Sequence, residues 1–160
     1  MRIGIFAIGR MKQGPERELA ARYFDRAVAS GKSLGLTGFA VTEVTESRAG
    51  SAAARKAEEG RALHALLPEN GVVVALDEHG KAIGSDDFAR TIGRWRDNGK
   101  SSLSFVIGGA DGLDPQLLKV AALTLSFSPL TWPHQLARIL LAEQLYRTTT
   151  ILSGHPYHRE

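Results

Sequence analysis

The amino-acid sequence predicts an α/β fold built on an open, mostly parallel sheet. Short apolar runs alternate with helical patterns along all 160 residues, which is the order of parallel strands joined by helices. Several of these runs are continuously apolar, as expected for strands that are covered on both faces. Apolar residues make up 43% of the chain and charged residues 23%, a composition typical of a folded protein. Since no linker or repeat interrupts the sequence, we predict a single domain over residues 1–160.

Five predicted strands and five predicted helices follow one another along the chain. The strands are predicted over residues 3–8, 39–44, 72–76, 103–107 and 123–126. The helices are predicted over residues 15–30, 52–67, 86–97, 115–121 and 133–149. Because the connections between them are short, we expect the strands to enter one sheet.

Residues with known preferences for helix ends mark three of the helices. Ser85 is a candidate N-cap for the third helix, and Gly99 lies just beyond its end. Asp114 and Pro115 pair a capping residue with a proline at the first helical position. Pro133 is expected to start the last helix in the same way.

The last helix is more apolar than a surface helix needs to be. Its apolar residues cover more than one stripe and comprise Leu136, Ile139, Leu140, Leu141, Ala142, Leu145 and Tyr146. One stripe can pack on the sheet, while the other needs a second partner. A helix deeply buried in a monomer is one explanation. A symmetric homodimer is the simpler one for a small α/β domain, and we predict it.

The composition argues against several classes of protein. The absence of cysteine removes disulfides, thiol catalysis and thiolate metal sites. No apolar run approaches the roughly 20 residues that cross a bilayer, and the first residues lack a signal-peptide pattern. We therefore expect a cytoplasmic protein that does not bind membranes. The net charge of +3 is compatible with a polyanionic partner but does not require one.

Three loops that follow predicted strands carry candidate binding residues. Residues 76–81 include Asp77 and Glu78, which are either acids or ribose-binding groups, or part of a solvated turn. Residues 108–112 are rich in glycine but lack the spacing of a dinucleotide fingerprint, so they indicate either close approach to a ligand or a plain turn. Residues 126–133 form either an apolar slot for a flat heterocycle or a rigid connection with buried aromatics. Carboxyl ends of neighbouring parallel strands share one edge, so one pocket can use all three loops.

Titratable and aromatic side chains are concentrated in the last six residues of the sequence. His155 and His158 are three residues apart with no third ligand nearby, so we predict no metal site. Histidine accepts a proton near neutral pH, and arginine can hold a phosphate or a developing anion. His158 with Arg159 is therefore the stronger candidate pair.

These segments together resemble the SPOUT-class methyltransferases, and among them the ribosomal RNA large subunit methyltransferase H family. The matching segments are residues 76–77, 80–81, 105–113, 125–126, 130–138, 141–147 and 155–160. The resemblance is close over residues 71–160 and looser over residues 1–70. It spans the whole length of the chain.

The resemblance implies a fold with a deep trefoil knot at its carboxyl end, a rare exception to unknotted topology. It also implies a homodimer formed through the last helix, with S-adenosyl-L-methionine as cofactor and no metal. The expected reaction is methylation of N3 of a pseudouridine in 23S rRNA on assembled ribosomes. The residues expected to contact the cofactor are Leu76, Gly108, Phe127, Ser128, Pro129, Leu130, Thr131 and Trp132.

Roles for the polar residues follow from the expected reaction. The pseudouridine nitrogen must lose a proton, so we predict His158 as the base and Arg159 as the group that stabilises the anion or grips a phosphate. Arg138 and Tyr157 are candidates for RNA contact. For Arg138 and Arg147 the alternative is pairing with Glu143 in the dimer.

Two segments depart from the family pattern. Residues 13–15 are expected to affect an RNA-facing surface, and residues 148–150 to affect dimer packing. Two other functions remain open at this point. One is a SPOUT methyltransferase of another RNA, and the other is a cofactor-free protein that binds ribosomes.

Overall fold

Strands and helices alternate through the whole of the computed structural model, which describes residues 1–158. The elements are β1 (Arg2–Ile8), α1 (Pro15–Gly31), β2 (Thr37–Val44), α2 (Ala52–His64), β3 (Val72–Lys81), α3 (Ser85–Asp97), β4 (Ser102–Ile107), α4 (Pro115–Val120), β5 (Leu123–Leu125) and α5 (His134–Ser153). The strand order is β2-β1-β4-β3-β5, and each neighbouring pair is parallel. The predicted α/β class with a parallel sheet is confirmed.

Helices cover both faces of the sheet, which explains the continuously apolar strands. On one face, Phe105 of β4 belongs to a core that includes Phe88 of α3 and Leu141 of α5. On the other face, Val106 packs in a core with Leu63 of α2 and residues of α4. Both faces of β4 are therefore buried, and its position between β1 and β3 places it at the centre of the sheet.

The third strand is longer than predicted because it resumes after a break in register. Leu76 and Lys81 both pair with Leu125 of β5, so residues 77–80 are extruded from the ladder. The strand therefore does not end at Leu76, as the polar residues after it suggested. The last strand is one residue shorter than predicted, because Ser126 turns into the following loop.

The structure corrects two of the predicted helix starts and confirms a third. Pro133 is the N-cap of α5 and not its first helical residue, because its ψ of 138° is extended and the helix begins at His134. Gly84 occupies the N-cap of α3, and the Ser85 hydroxyl instead donates to Gln144 Oε1 of α5 at 2.9 Å. The predicted cap at Ser85 is wrong because a long-range partner takes its hydroxyl. Asp114 caps α4 by accepting from the Gln116 N–H.

The last helix lies between two other helices, which accounts for much of its apolar surface. α1 and α3 both pack on it, and Leu141 and Leu145 are buried in the core. Exposed apolar side chains remain near its beginning, where Leu130, Trp132 and Leu136 are 69%, 41% and 38% exposed. None of the helices within residues 1–158 combines the length and the apolar character needed to span a membrane.

Candidate active site

The three predicted loops meet at the carboxyl edge of the sheet. Leu76 is paired with Ile107 on one side and with Leu125 on the other. Gly108 and the segment beginning at Ser126 therefore leave the sheet on either side of Leu76. The predicted convergence of the loops is observed, and Leu76 lies at its centre.

The glycine-rich loop makes a tight turn over its own backbone. A β-carbon on Gly108 would lie 2.7 Å from the carbonyl carbon of Gly112, so no side chain fits there. The Gly112 N–H donates to the Gly109 carbonyl at 3.1 Å, and Gly112 has a φ of +86°. Residues 108–112 thus form the tight turn that was one of the two interpretations, while contact with a ligand stays a prediction.

An ion pair fixes this loop to α2. Arg55 donates to both carboxylate oxygens of Asp111, with distances of 2.6 and 3.0 Å, and also to the Ala49 carbonyl at 3.1 Å. Hydrogen bonding to Arg55 holds the pKa of Asp111 below its ordinary value, although partial burial opposes the shift. Sequence reasoning missed this contact because its partners are 56 residues apart and nothing in the helix that carries Arg55 points to the glycine-rich loop.

A buried carboxylate, that of Glu59, lies against the glycine-rich loop. Glu59 of α2 is 7% exposed, and its carboxylate lies 3.1 Å from the position that a β-carbon on Gly109 would occupy. Its other oxygen accepts the Ser47 N–H at 2.9 Å. Glu59 therefore joins the loop after β2 to the glycine-rich loop.

The segment after β5 is tied to the extruded residues of β3. The Ser126 hydroxyl lies 3.1 Å from the Glu78 carbonyl oxygen and 2.8 Å from that of Ser128. The Thr131 hydroxyl donates to Glu78 Oε2 at 2.7 Å. Glu78, one of the two acids noted in the sequence, therefore orders a loop; the other, Asp77, accepts the His79 N–H.

The apolar residues of this segment divide into two groups. Phe127 packs against the core, as a rigid connection with a buried aromatic requires. Leu130 and Trp132 remain exposed. Within one chain they line an open edge and do not form a closed slot.

The tail folds back on α5. The Tyr157 hydroxyl donates to Glu143 Oε1 at 3.2 Å, and its ring lies 4.7 Å from that of Tyr146. The guanidinium of Arg147 lies 5.0 Å from the Tyr157 ring centroid, a cation–π distance. Burial, assisted by the charge of Glu143, raises the pKa of Tyr157 to about 12. Tyr157 is therefore neutral at physiological pH and acts as a hydrogen-bond donor.

His158 lies between a cation and a carboxylate. Its Nδ1 is 3.3 Å from Arg147, and its Nε2 is 3.4 Å from Asp86 Oδ1 at the start of α3. Arg159, its predicted partner, lies outside the described residues. Within residues 1–158, the side-chain contacts of the tail are with α5 and α3, and its polar contacts do not reach the glycine-rich loop or the segment after β5.

Arg138 is buried beneath the ends of β1 and β2. It is 4% exposed and donates to Glu43 at 2.6 Å and to the carbonyls of Ile8 and Gly9. Burial of Glu43 opposes its ionisation, but the Met11 N–H and Arg138 outweigh this and lower its pKa. The RNA contact of Arg138 stays a prediction, and the observed contacts are structural. A cation surrounded by apolar residues of the last helix was the available sequence signal for such a buried pair.

Arg147, rather than Arg138, pairs with Glu143. The pair joins residues four apart on α5 of one chain, and the Glu143 hydrogen bond is the main cause that raises the pKa of Arg147. Within the part of the chain described, no group of three or more histidine, aspartate or glutamate side chains is placed to hold a metal ion.

Comparison with known proteins gives full-length matches. A family model described as "Predicted SPOUT methyltransferase" matches residues 1–158. Curated proteins named Ribosomal RNA large subunit methyltransferase H match over 159 residues, or 99% of this chain and 99% of each relative. Those from Bradyrhizobium diazoefficiens, Rhizobium leguminosarum bv. trifolii and Brucella anthropi are 54%, 57% and 57% identical.

A solved structure gives a more distant match. The SpoU methyltransferase AviRb from Streptomyces viridochromogenes is 18% identical, with a TM-score of 0.43. The match covers 95% of this chain, which spans 60% of the length of that protein.

Proposed function

Since the chain belongs to the SPOUT methyltransferase family, we propose that it transfers a methyl group from S-adenosyl-L-methionine to N3 of a pseudouridine in 23S rRNA. The main support is similarity along 99% of the chain to proteins named Ribosomal RNA large subunit methyltransferase H. We further propose that the substrate is the assembled ribosome in the cytoplasm.

The loops around Leu76 are the proposed cofactor site, and their structure fits that group. Gly108 is half-buried and carries no side chain to cover its backbone groups, while Leu130 and Trp132 offer apolar surface at the same edge. An adenosine needs both kinds of surface: polar backbone groups for its edges and apolar groups for its ring faces. Leu76, Gly108 and residues 127–132 would hold it. When bound, S-adenosylmethionine supplies an electrophilic methyl group on a sulfonium leaving group.

A homodimer would bring the tail to this site. Within one chain the tail contacts α5 and α3 and leaves the loops open, while apolar residues near the start of α5 remain exposed. A second copy can cover those residues and place its own tail beside the loops. The trefoil knot belongs to the same proposal and rests on family membership.

The proposed chemistry assigns proton transfer to the tail. Asp86 orients the His158 ring through Nε2, and Nδ1 accepts the proton from the pseudouridine nitrogen once the substrate has displaced Arg147 from that atom. Arg159 stabilises the resulting anion or holds a phosphate. Tyr157, which stays neutral at physiological pH, anchors the tail and is a candidate donor to RNA.

Removal of residues 156–160 tests whether the loops bind the cofactor while the tail serves the methyl transfer. We expect the truncated protein to bind S-adenosylmethionine in calorimetry but to lose methylation of ribosomes isolated from a strain without the enzyme. Full methylation by the truncated protein would refute a role for the tail. Absence of cofactor binding by the intact protein would favour a cofactor-free ribosome-binding protein, and a product on another RNA would favour a different substrate.

Mixed dimers test whether the site is shared. A His158→Ala chain and a Gly108→Val chain, assayed at a cofactor concentration near the wild-type Kd, are each expected to have little activity alone. Mixed in equal amounts and reassociated, they should recover about a quarter of wild-type activity, because half of the randomly assorted dimers carry one intact site. No recovery, with mixed dimers demonstrated by mass spectrometry, would show that each site is built from one chain.

A further inference from the structure

A second cleft opens at the same edge of the sheet, on the side away from β5. It has a volume of about 510 Å³ and is lined by Gly9, Arg10, Thr45, Glu46, Ser47 and Arg48, which follow β1 and β2. None of these residues belongs to the predicted cofactor loops or to the tail.

The cleft borders the candidate active site at two points. A β-carbon on Gly9 would lie 3.4 Å from Nε2 of His134, the first residue of α5 and the second after Trp132. Ser47 shares Glu59 with the glycine-rich loop, since Glu59 binds its N–H and lies against Gly109. A ligand that extends from the active site can therefore reach the cleft.

Two exposed arginines flank the cleft and have no acidic partner in the described part of the chain. Neither Arg10 nor Arg48 forms an ion pair or side-chain hydrogen bond there, whereas Arg55, Arg138 and Arg147 are each paired with a carboxylate. The carboxylate of Glu43, beneath the cleft, is already neutralised by Arg138. The two exposed guanidinium groups are therefore available to a ligand from outside.

Glu46 supplies a carboxylate to the lining of the cleft beside the two arginines. The Gly9 N–H donates to the Val44 carbonyl at 2.8 Å, and Gly9 has a φ of +82°. Because Gly9 lacks a β-carbon, the Glu46 carboxylate lies 2.7 Å from the position that this atom would occupy. A free phosphate would be repelled by Glu46, whereas a ligand with both phosphates and hydroxyl groups satisfies the whole cleft.

We propose that this cleft binds the ribose–phosphate backbone of the RNA next to the modified nucleotide. Arg10 and Arg48 contact phosphates through their planar guanidinium groups, and Glu46 accepts a ribose 2′-hydroxyl, the group that distinguishes RNA from DNA. The inference rests on the proposed function, because it assumes an RNA substrate at the neighbouring site.

Arginine substitutions test the phosphate contacts. We expect Arg10→Ala combined with Arg48→Ala to raise the KM for ribosomes about tenfold while leaving kcat and cofactor affinity unchanged. The plot of log affinity against log salt for an rRNA fragment should become shallower by about 0.7–0.9 for each lost phosphate contact. Arg94→Ala is the matched control, since Arg94 is exposed near the end of α3, at the opposite edge of the sheet.

Glu46→Ala tests the hydroxyl contact. The wild-type protein should bind an RNA oligomer more tightly than a DNA oligomer of the same sequence, and Glu46→Ala should reduce that preference severalfold. Equal preferences would refute the role of Glu46.

The outcomes separate this inference from the proposed function. If the wild type methylates ribosomes but the double arginine variant keeps its KM and salt dependence, the cleft is not an RNA site and the proposed function stands. If the double variant loses binding and the salt slope falls while Arg94→Ala behaves as wild type, the cleft is supported. If the wild type neither binds nor methylates ribosomes, the proposed function fails and the cleft proposal fails with it.

Discussion

The two halves of the carboxyl edge of the sheet are completed in different ways. In the half formed by β2, β1 and β4, charged contacts join segments that are far apart in the sequence. Arg138 reaches Glu43 and two carbonyl groups, and Arg55 reaches Asp111 through two hydrogen bonds. These contacts fix the loops after three strands without help from a ligand.

The half formed by β3 and β5 is less complete. Its loops are joined by hydroxyl contacts such as Thr131 to Glu78, and two of its large apolar side chains, Leu130 and Trp132, are exposed. Exposed apolar residues near a cleft are characteristic of surfaces that bind a ligand or another protein. The first half is therefore a preformed support, and the second half is the surface expected to change when cofactor and partner bind.

Arg138→Met should have the largest effect, because it removes the main contact of the preformed half. The substitution leaves Glu43 without its cation and two carbonyl groups without a donor, so we expect a loss of about 3 kcal/mol in the free energy of unfolding. Chemical denaturation measures it. A variant as stable as wild type would show that the ion pair does not support this half.

The ion pair between Arg138 and Glu43 also predicts that the free energy of unfolding depends on pH. The pKa of Glu43 is lower in the folded protein than its ordinary value of 4.5, so its contribution to stability is present above that value and is lost as pH falls through the lowered one. Glu43→Gln should flatten the decline of stability below about pH 4.5. Glu69→Gln, at an exposed position outside the helices and strands, is the control.

Gly108→Val tests the loop that lies where the two halves of the edge meet. The added side chain meets the Gly112 backbone at 2.7 Å, so the loop must move, at a cost that corresponds to about 10- to 100-fold weaker cofactor binding. Calorimetry measures the affinity. Gly50→Ala is the control, because a β-carbon there meets no atom within 4 Å.

Leu130→Ser with Trp132→Ser tests the open half. Both side chains are exposed, so the unfolding free energy of the monomer should change by only about 0.5 kcal/mol. Dimer formation or cofactor binding should weaken about tenfold, as for an apolar contact residue. Sedimentation measures dimer formation, and calorimetry measures cofactor binding. Unchanged values in both would show that this surface has no partner.

Asp111→Asn should have the smallest effect. Because Asp111 is partly exposed and positions the loop from outside, we expect the KM for the cofactor to rise about threefold to fivefold with little change in kcat. Arg90→Ala breaks an exposed ion pair on α3 and should leave both constants unchanged. A fall in kcat with an unchanged KM would instead assign Asp111 a role in the chemical step.

The sequence predicted the fold better than it predicted the contacts that support the site. β1 and β4 were placed within one residue because buried parallel strands have continuously apolar sequences. The extension of β3 to Lys81 depends on pairing with β5, which a polar segment such as residues 77–80 does not reveal. The charge of Arg138 was visible in its apolar helix, but its partner lies 95 residues away.

The docked tyrosine gives the tail its own optical reporter. Tyr157 ionises near pH 12 when it lies against Glu143, whereas an undocked tyrosine ionises near pH 10. Tyrosinate absorbance at about pH 10 to 11, taken as the difference between the wild type and Tyr157→Phe so that Tyr23 and Tyr146 cancel, therefore distinguishes the two positions of the tail without any label. Recorded for the protein with and without cofactor, this difference would show whether the tail leaves α5 when the cofactor binds.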